Sequence, residues 1–421
     1  MSGSACSASA VGREASASEP FSFRTLYRQR QTTPNFEGAR LTLRRRVNFQ
    51  VARFQRLRRH VRVAALPYVL TVDPLNGCNL HCPHCMTGAG KHGHDVTTLP
   101  RALYARLLDE LAPTLLLVEF GNWGEPLLDR RLPDLIEAAS ARGLGTIVAT
   151  HLSVPLDDAQ ARALVASGLN VLGVALDGAR QETYEQYRVG GRLELVVENI
   201  ARITRAKRRL HSTTPRIVWS YHVFAHNEHE IEEARARAAA LGVDFAFSKG
   251  FVTGPDWDPE GRFPFIFEAR DGEQVEPCSF LWERAVVSAD GGVAPCLGAF
   301  YPEDDCGRLD GHTFREVWNG ARFKEARRFY RAAPESLGSP EPLCAGCPQT
   351  VLFGDYRAHL AGGGTTASFA PGLTAHDGWN YFFHRARPRR LRDEPVSAGA
   401  RRVPVSAPSP AAASLARRMV S

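Results

Sequence analysis

The chain has 421 residues, 44% of them hydrophobic and 23% charged, with a formal net charge of +7 and nine cysteines. No apolar run reaches the length of a membrane span and the first twenty residues lack the apolar core of a secretory signal, so a cytoplasmic protein is expected. Residues 1–65 carry 13 Arg against 3 Glu and 385–421 carry 9 Arg against 2 acidic residues, which leaves 30 basic and 40 acidic side chains in 66–384, a distribution that argues against a nucleic-acid-binding body.

Residues 1–20, rich in Ser and Ala, are expected to be disordered, and 21–65 to form a basic extension. Within it, LTLRRRVNFQVARFQRLRRHVRV (41–63) sets Leu43, Val47, Val51, Phe54 and Leu57 at helical spacing among arginines. A helix docked on the body is the preferred reading, and a partner surface or peripheral contact with an anionic membrane leaflet is the alternative. From residue 66 a strand–helix alternation begins. Strands are expected at 68–74, 114–121, 144–151, 169–178, 215–224 and 243–250, with helices at 99–112, 131–143, 157–168, 193–210 and 228–242. Six strands linked by helices are too few for a closed eight-fold barrel and fit an open, partial (β/α)6 barrel over 66–255. After residue 250 the pattern changes to turns, a β-hairpin around Asp290-Gly291-Gly292 and a helix at 313–333, which suggests a small second domain over 256–384. The Pro, Ala, Ser and Arg of 385–421 read as a disordered tail.

GCNLHCPHC (77–85) places Cys78, Cys82 and Cys85 on the loop after the first strand. Thiolates suit iron–sulfur clusters and zinc, but a structural zinc site is closed by four ligands. Three thiols leave one metal position open for a substrate or cofactor. His81 or His84 could complete a zinc site only by folding back against its own cysteine neighbours. Downstream, GNWGEPLL (121–128), ATHLS (149–153) and ALDGARQETYEQYRVGG (175–191) all fall at the C-terminal ends of expected strands, where barrel active sites form.

In this order and placement the segments resemble the radical S-adenosylmethionine (SAM) superfamily. The resemblance implies that Cys78, Cys82 and Cys85 hold a 4Fe-4S cluster whose fourth iron chelates SAM. Gly124, Glu125 and Pro126 match the motif that meets the SAM amino group, with Trp123 in place of a glycine. Thr150 matches a Thr-Asn-Gly segment from which His151 departs. Asp177 and Gly178 match a Ser-Ile-Asp-Gly segment in which Ala175 has lost the hydroxyl. Arg188 is the candidate clamp on the SAM carboxylate, with a surface ion pair to Glu182 or Glu185 as the plain alternative.

A second set, Cys278, Gly291, Cys296 and the pair Cys344-Ala-Gly-Cys347, resembles a SPASM-type auxiliary domain in its shortened, twitch form, since no cysteine follows Cys347. This implies a second 4Fe-4S cluster held by four thiolates; tetrahedral zinc is the structural alternative. The fold class implied is α/β, a partial barrel followed by a small α+β auxiliary-cluster domain. By similarity to twitch enzymes the expected reaction is oxidation of an alcohol on a sugar- or aminocyclitol-like metabolite, with the auxiliary cluster as electron acceptor and a flavodoxin- or ferredoxin-type protein as electron donor. The alternatives are peptide maturation, sugar epimerisation with Cys306 as hydrogen donor, and a zinc-binding structural protein. His222, Lys249, Trp123 and Glu119 end strands at one mouth and are candidate substrate contacts; Cys6 is taken as incidental.

Overall fold

The computed structural model describes residues 36–260, 274–331, 343, 344 and 346–370. The expectations for 1–20, 385–421 and Cys6 lie outside the described residues.

Short apolar runs ended by a polar residue make the six expected strands: β1 (Val69–Val72), β2 (Leu117–Phe120), β3 (Gly145–Thr150), β4 (Val171–Ala175), β5 (Arg216–Val223) and β6 (Asp244–Lys249). All six pair in parallel, in sequence order. The crossovers are α-helices: α2 (Arg101–Leu111), α3 (Leu132–Ser140), α4 (Asp158–Ala166), the pair α5 (Gln181–Tyr187) and α6 (Leu193–Arg209), and α7 (Ile231–Leu241). Alternate strand residues divide between two cores, as a period of two dictates. Leu70, Val72, Val118, Phe120, Val148, Leu172 and Trp219 bury against the helices. Val69, Leu117, Ile147, Val171, Val218 and Ala246 form a separate inner core with Phe36, Phe49 and Ala52.

The sheet does not stop at β1. The hairpin expected around Asp290 contributes β7 (Arg284–Val287) and β8 (Gly292–Ala294), followed by β9 (Gly307–Arg308), and β7 pairs in parallel with β1. The order is β6-β5-β4-β3-β2-β1-β7-β8-β9, a single nine-stranded sheet. The helix expected at 313–333 is two helices, α8 (Phe314–Trp318) and α9 (Ala321–Arg328), broken at Asn319-Gly320. Thr313 and Glu316 form a capping box at the start of α8. The last α-helix among the described residues, α10 (Pro348–Ala361), follows directly from Cys347.

The helix α1 (Leu43–Leu57) docks as expected, but of its expected stripe only Val51 packs on the inner core, and Leu43, Val47, Phe54 and Leu57 stay exposed. Its buried residues are Arg45, Asn48, Phe49, Ala52, Gln55 and Arg56. Arg45 donates to the carbonyls of Ala112, Arg142, Gly143 and Arg40, at 2.5 to 3.2 Å. The first three lie just beyond the C-termini of α2 and α3, so the helix dipoles compensate a guanidinium that has no carboxylate. Arg56 pairs with Glu283 and Glu276, both at 2.6 Å, and Tyr68 donates to Glu283 at 2.7 Å. Helical periodicity shows that a helix has two faces, but specific partners far away in sequence decide which one is buried.

Removing one member of a buried ion pair strands the other. Arg56→Ala is expected to destabilise the fold by about 3–5 kcal/mol, because Glu283 stays buried without its cation, whereas the exposed Phe54→Ser should change stability by less than about 0.5 kcal/mol. Urea unfolding followed by circular dichroism checks both.

Candidate functional site

Three buried carboxylates organise the C-terminal mouth of the strands. Asp73, just past β1, accepts the backbone N–H of Asn122 at 2.6 Å and of Trp123 at 3.2 Å, and so pulls the GNWGEP loop over the end of its neighbouring strand. Burial pushes its pKa up to about 6 in spite of those N–H groups. Glu125 accepts from Thr150 Oγ1 at 2.6 Å, from the N–H of His151 at 3.0 Å and from that of Leu127 at 3.0 Å, with His151 Nε2 at 3.1 Å. Asp177 accepts from His222 N–H at 2.7 Å and Arg188 Nε at 2.6 Å, and its Oδ1 lies 2.9 Å from His222 Nδ1. Burial alone would raise Asp177, but Arg188 and His222 hold it at about 2.

Gly124 lies where the loop passes β1: a Cβ there would meet Leu75 O at 1.7 Å. Gly178 is similarly pressed on Tyr184, whose backbone nitrogen would lie 2.5 Å from a Cβ added at that glycine. Both glycines are set by close backbone approach.

The first three thiols sit against this frame. Cys82 is buried, and Arg188 Nη1 is 3.7 Å from its Sγ. Cys78 accepts the N–H of Leu80 at 3.4 Å. Burial pushes the Cys78 thiol up to about 12, and raises Cys82 although Arg188 opposes it. An aromatic wall of Tyr187, Phe224 and Trp257 packs beside the loop, with His84 at 4.6 Å, ring to ring, from Trp257. His84 Nδ1 lies 2.6 Å from Thr253 Oγ1, a contact that accounts for the residue without a metal.

The second set gathers at the hairpin. Burial raises all four thiols, Cys278 to about 12 and Cys296 and Cys344 well above the ordinary value, and the charges of neighbouring thiols raise Cys278, Cys296 and Cys344 further. Backbone N–H groups of Phe280 and Leu281 point at Cys278, those of Gly298 and Ala299 at Cys296, and those of Gln349 and Thr350 at Cys347. Half-buried thiols, three of them facing main-chain donors, suit a cationic metal core that would take the protons' place. No three His, Cys, Asp or Glu side chains among the described residues converge as they would on a single ion; a cluster takes its thiolates at separate corners, so the fit rests on burial and donor chemistry.

A packed layer adjoins the first set. Met86, Trp123, Phe300 and Tyr301 form one buried cluster with Cys85 against it. Trp123 Nε1 donates to Ala299 O at 2.8 Å, three residues after Cys296, and Asn122 Nδ2 to Leu297 O at 3.4 Å.

The remaining sequence candidates separate. His222 is at the mouth, on Asp177. Lys249 ends β6 in an ion pair with Asp258 at 2.5 Å, and Glu119 is held by Thr71 and Arg284. Arg188 meets Asp177 and Cys82, so the surface pair with Glu182 or Glu185 does not form. Cys306 packs on the main core beside Arg322 and Arg327, and its thiol is pushed up to about 12 by burial. Asp73 and Trp257 were missed from the sequence. The first is signalled only by a strand ending in Asp-Pro, and the second is hidden in a turn-rich stretch.

Comparison with known proteins gives two family matches, the Radical SAM superfamily over residues 72–238 and the SPASM iron-sulfur cluster-binding domain over 278–348. A GTP 3′,8-cyclase of Peptoclostridium acidaminophilum is 33% identical over 141 residues, 31% of this chain and 41% of that protein. The mycofactocin maturase MftC of Mycolicibacterium smegmatis is 26% identical over 183 residues, 44% of each chain. The chain thus spans less than half the length of these curated relatives. Streptococcus suis SuiB, solved bound to S-adenosylmethionine, is similar in fold, with a TM-score of 0.51 at 16% identity over 72% of this chain and 76% of that one. The two domains imply a 4Fe-4S cluster with SAM and additional iron–sulfur ligation.

Iron analysis of anaerobically reconstituted protein should return about eight irons per chain. Cys82→Ala and Cys296→Ala should each lower this to about four, and zinc in place of iron would contradict the assignment of both sets. Gly124→Ala, with no room for its Cβ, should lower SAM binding at least tenfold in equilibrium dialysis, roughly 1.4 kcal/mol, while the iron content holds.

Proposed function

We infer that this radical SAM protein, with a SPASM domain following its barrel, is an oxidoreductase that removes a hydrogen atom, a proton and an electron from an alcohol of a small sugar- or aminocyclitol-like substrate. The observation that carries the reading is the Met86, Trp123, Phe300 and Tyr301 layer, which packs on Cys85 and, through Trp123 Nε1 on Ala299 O, reaches the backbone three residues after Cys296. When bound, the clusters and SAM supply hydrogen-atom abstraction and an electron acceptor with no open metal position. Cys78, Cys82 and Cys85 would hold the first cluster and Cys278, Cys296, Cys344 and Cys347 the second.

The chain's own residues bind, orient and take the proton. Gly124, Glu125, Pro126 and Thr150 form the loop that would meet the SAM amino group. Arg188, oriented through Asp177 and Cys82, would meet the carboxylate. His222 is the base for the hydroxyl proton. Asp177 holds its Nδ1, which leaves Nε2 as the acceptor. Reducing equivalents for the first cluster come from a flavodoxin- or ferredoxin-type donor. The likeness to MftC favours a second reading, a peptide substrate.

Anaerobic incubation of reconstituted protein with SAM, dithionite and a panel of sugars, aminocyclitols and peptides separates the two. The expected result is one ketone or aldehyde product per 5′-deoxyadenosine. Turnover stimulated by peptides alone would sink the alcohol reading. His222→Asn should lower product formation by roughly 10²-fold with deoxyadenosine still formed.

A further inference from the structure

The face of α1 that points away from the barrel is apolar. Leu43 is 77% exposed, Val47 53%, Phe54 54% and Leu57 40%. At 3.6 residues per turn they share one stripe with the exposed Gln50, edged by Arg44 and Arg58 on one side and by Arg46 on the other. The Arg58 guanidinium lies 5.8 Å from the Phe54 ring centroid. Scattered exposed apolar residues are ordinary; a contiguous stripe on a basic helix is not. The helix cannot rotate to bury it, because Arg45 and Arg56 tie the other face to partners far along the chain and Asn48 and Gln55 tie it to the segment just before β1.

The basic ground continues past the helix. Arg59 is held below its ordinary pKa by burial and then by the charges of Arg357, on α10, and Arg331. The occupant of this surface is therefore anionic. The chain's own remaining ends have the wrong sign, with 9 Arg against 2 acidic residues in 385–421, and a second copy would set arginine against arginine. A convex stripe rather than a groove suits a plane that is apolar inside and negative at its surface. The net acidic body behind it would orient the molecule with this face towards such a plane.

We propose that α1 is an interfacial helix that seats the protein on an anionic lipid bilayer, with Leu43, Val47, Phe54 and Leu57 among the acyl chains and the flanking arginines on lipid phosphates. The test floats the full reconstituted chain with vesicles of phosphatidylcholine alone or with phosphatidylglycerol added. Binding should be at least tenfold stronger with phosphatidylglycerol and should fall as salt is raised. The V47E/F54E variant, its circular dichroism and iron content unchanged, should lose binding roughly tenfold or more. R44Q/R58Q, which keeps the stripe, should lose mainly the dependence on phosphatidylglycerol. Absence of flotation with phosphatidylglycerol vesicles, or flotation that survives V47E/F54E, would overturn the proposal. So would a wild-type dimer that V47E/F54E makes monomeric, or an acidic peptide bound through these residues by a chain that ignores vesicles.

Discussion

The mouth of this sheet depends on buried carboxylates that must find partners. An ionised group out of water is stabilised only by donors or cations in contact with it. Asp73, Glu125 and Asp177 meet that need by taking loop N–H groups, hydroxyls and a guanidinium, and in doing so they tie each loop to the next strand. The comparison between two of them shows which kind of partner wins. Asp73, with backbone donors foremost, ends near 6, whereas Asp177, against Arg188 and His222, ends near 2. Backbone donors shape a loop without overcoming desolvation, and a cation does both.

The thiols pose the inverse problem. Desolvation raises the pKa of Cys78, Cys82, Cys278, Cys296, Cys344 and Cys347, so these thiols resist ionising until a positive core binds. Their placement follows from one pairing, β7 beside β1. That register brings the segment after Cys296 alongside the loop after β2, where Trp123 and Phe300 fill the gap. The auxiliary region is thus fused to the barrel edge by backbone hydrogen bonds and a shared aromatic layer.

How much of this was legible in the sequence varies with the range of the interaction. The strand–helix alternation and the three-thiol loop are local, and β1 to β6 lie where period and length place them. Arg188 was found because it follows Asp177 at short range, though its second contact, Cys82, comes from more than a hundred residues away. The joining of β7 to β1 was not legible, since short strands carry no mark of their partner. The break at Asn319-Gly320 inside an expected helix was signalled by its residues and overridden by the length of the pattern around it. Trp257 and Asp73 matter through contacts that only the fold creates.

The N-terminal helix carries the same lesson to its limit. Its hydrophobic period is correct and the face it marks is the wrong one for the core. Periodicity assumes that a helix is buried by area, at about 25 cal/mol per Å² of apolar surface. Here α1 is held by directed bonds: Arg45 closes the negative ends of two helices, and Arg56 satisfies a carboxylate that is itself buried under Tyr68. Each bond adds little over solvation, but breaking the set leaves several buried acceptors and a charge unsatisfied, a penalty larger than the gain from turning four apolar side chains inwards. A mixed face, Phe49 and Ala52 beside Arg45, Asn48, Gln55 and Arg56, therefore goes in, and Leu43, Val47, Phe54 and Leu57 are left out, so the same arginine-rich composition serves as an anchor on one side of the helix and as a rim for outward-facing apolar side chains on the other.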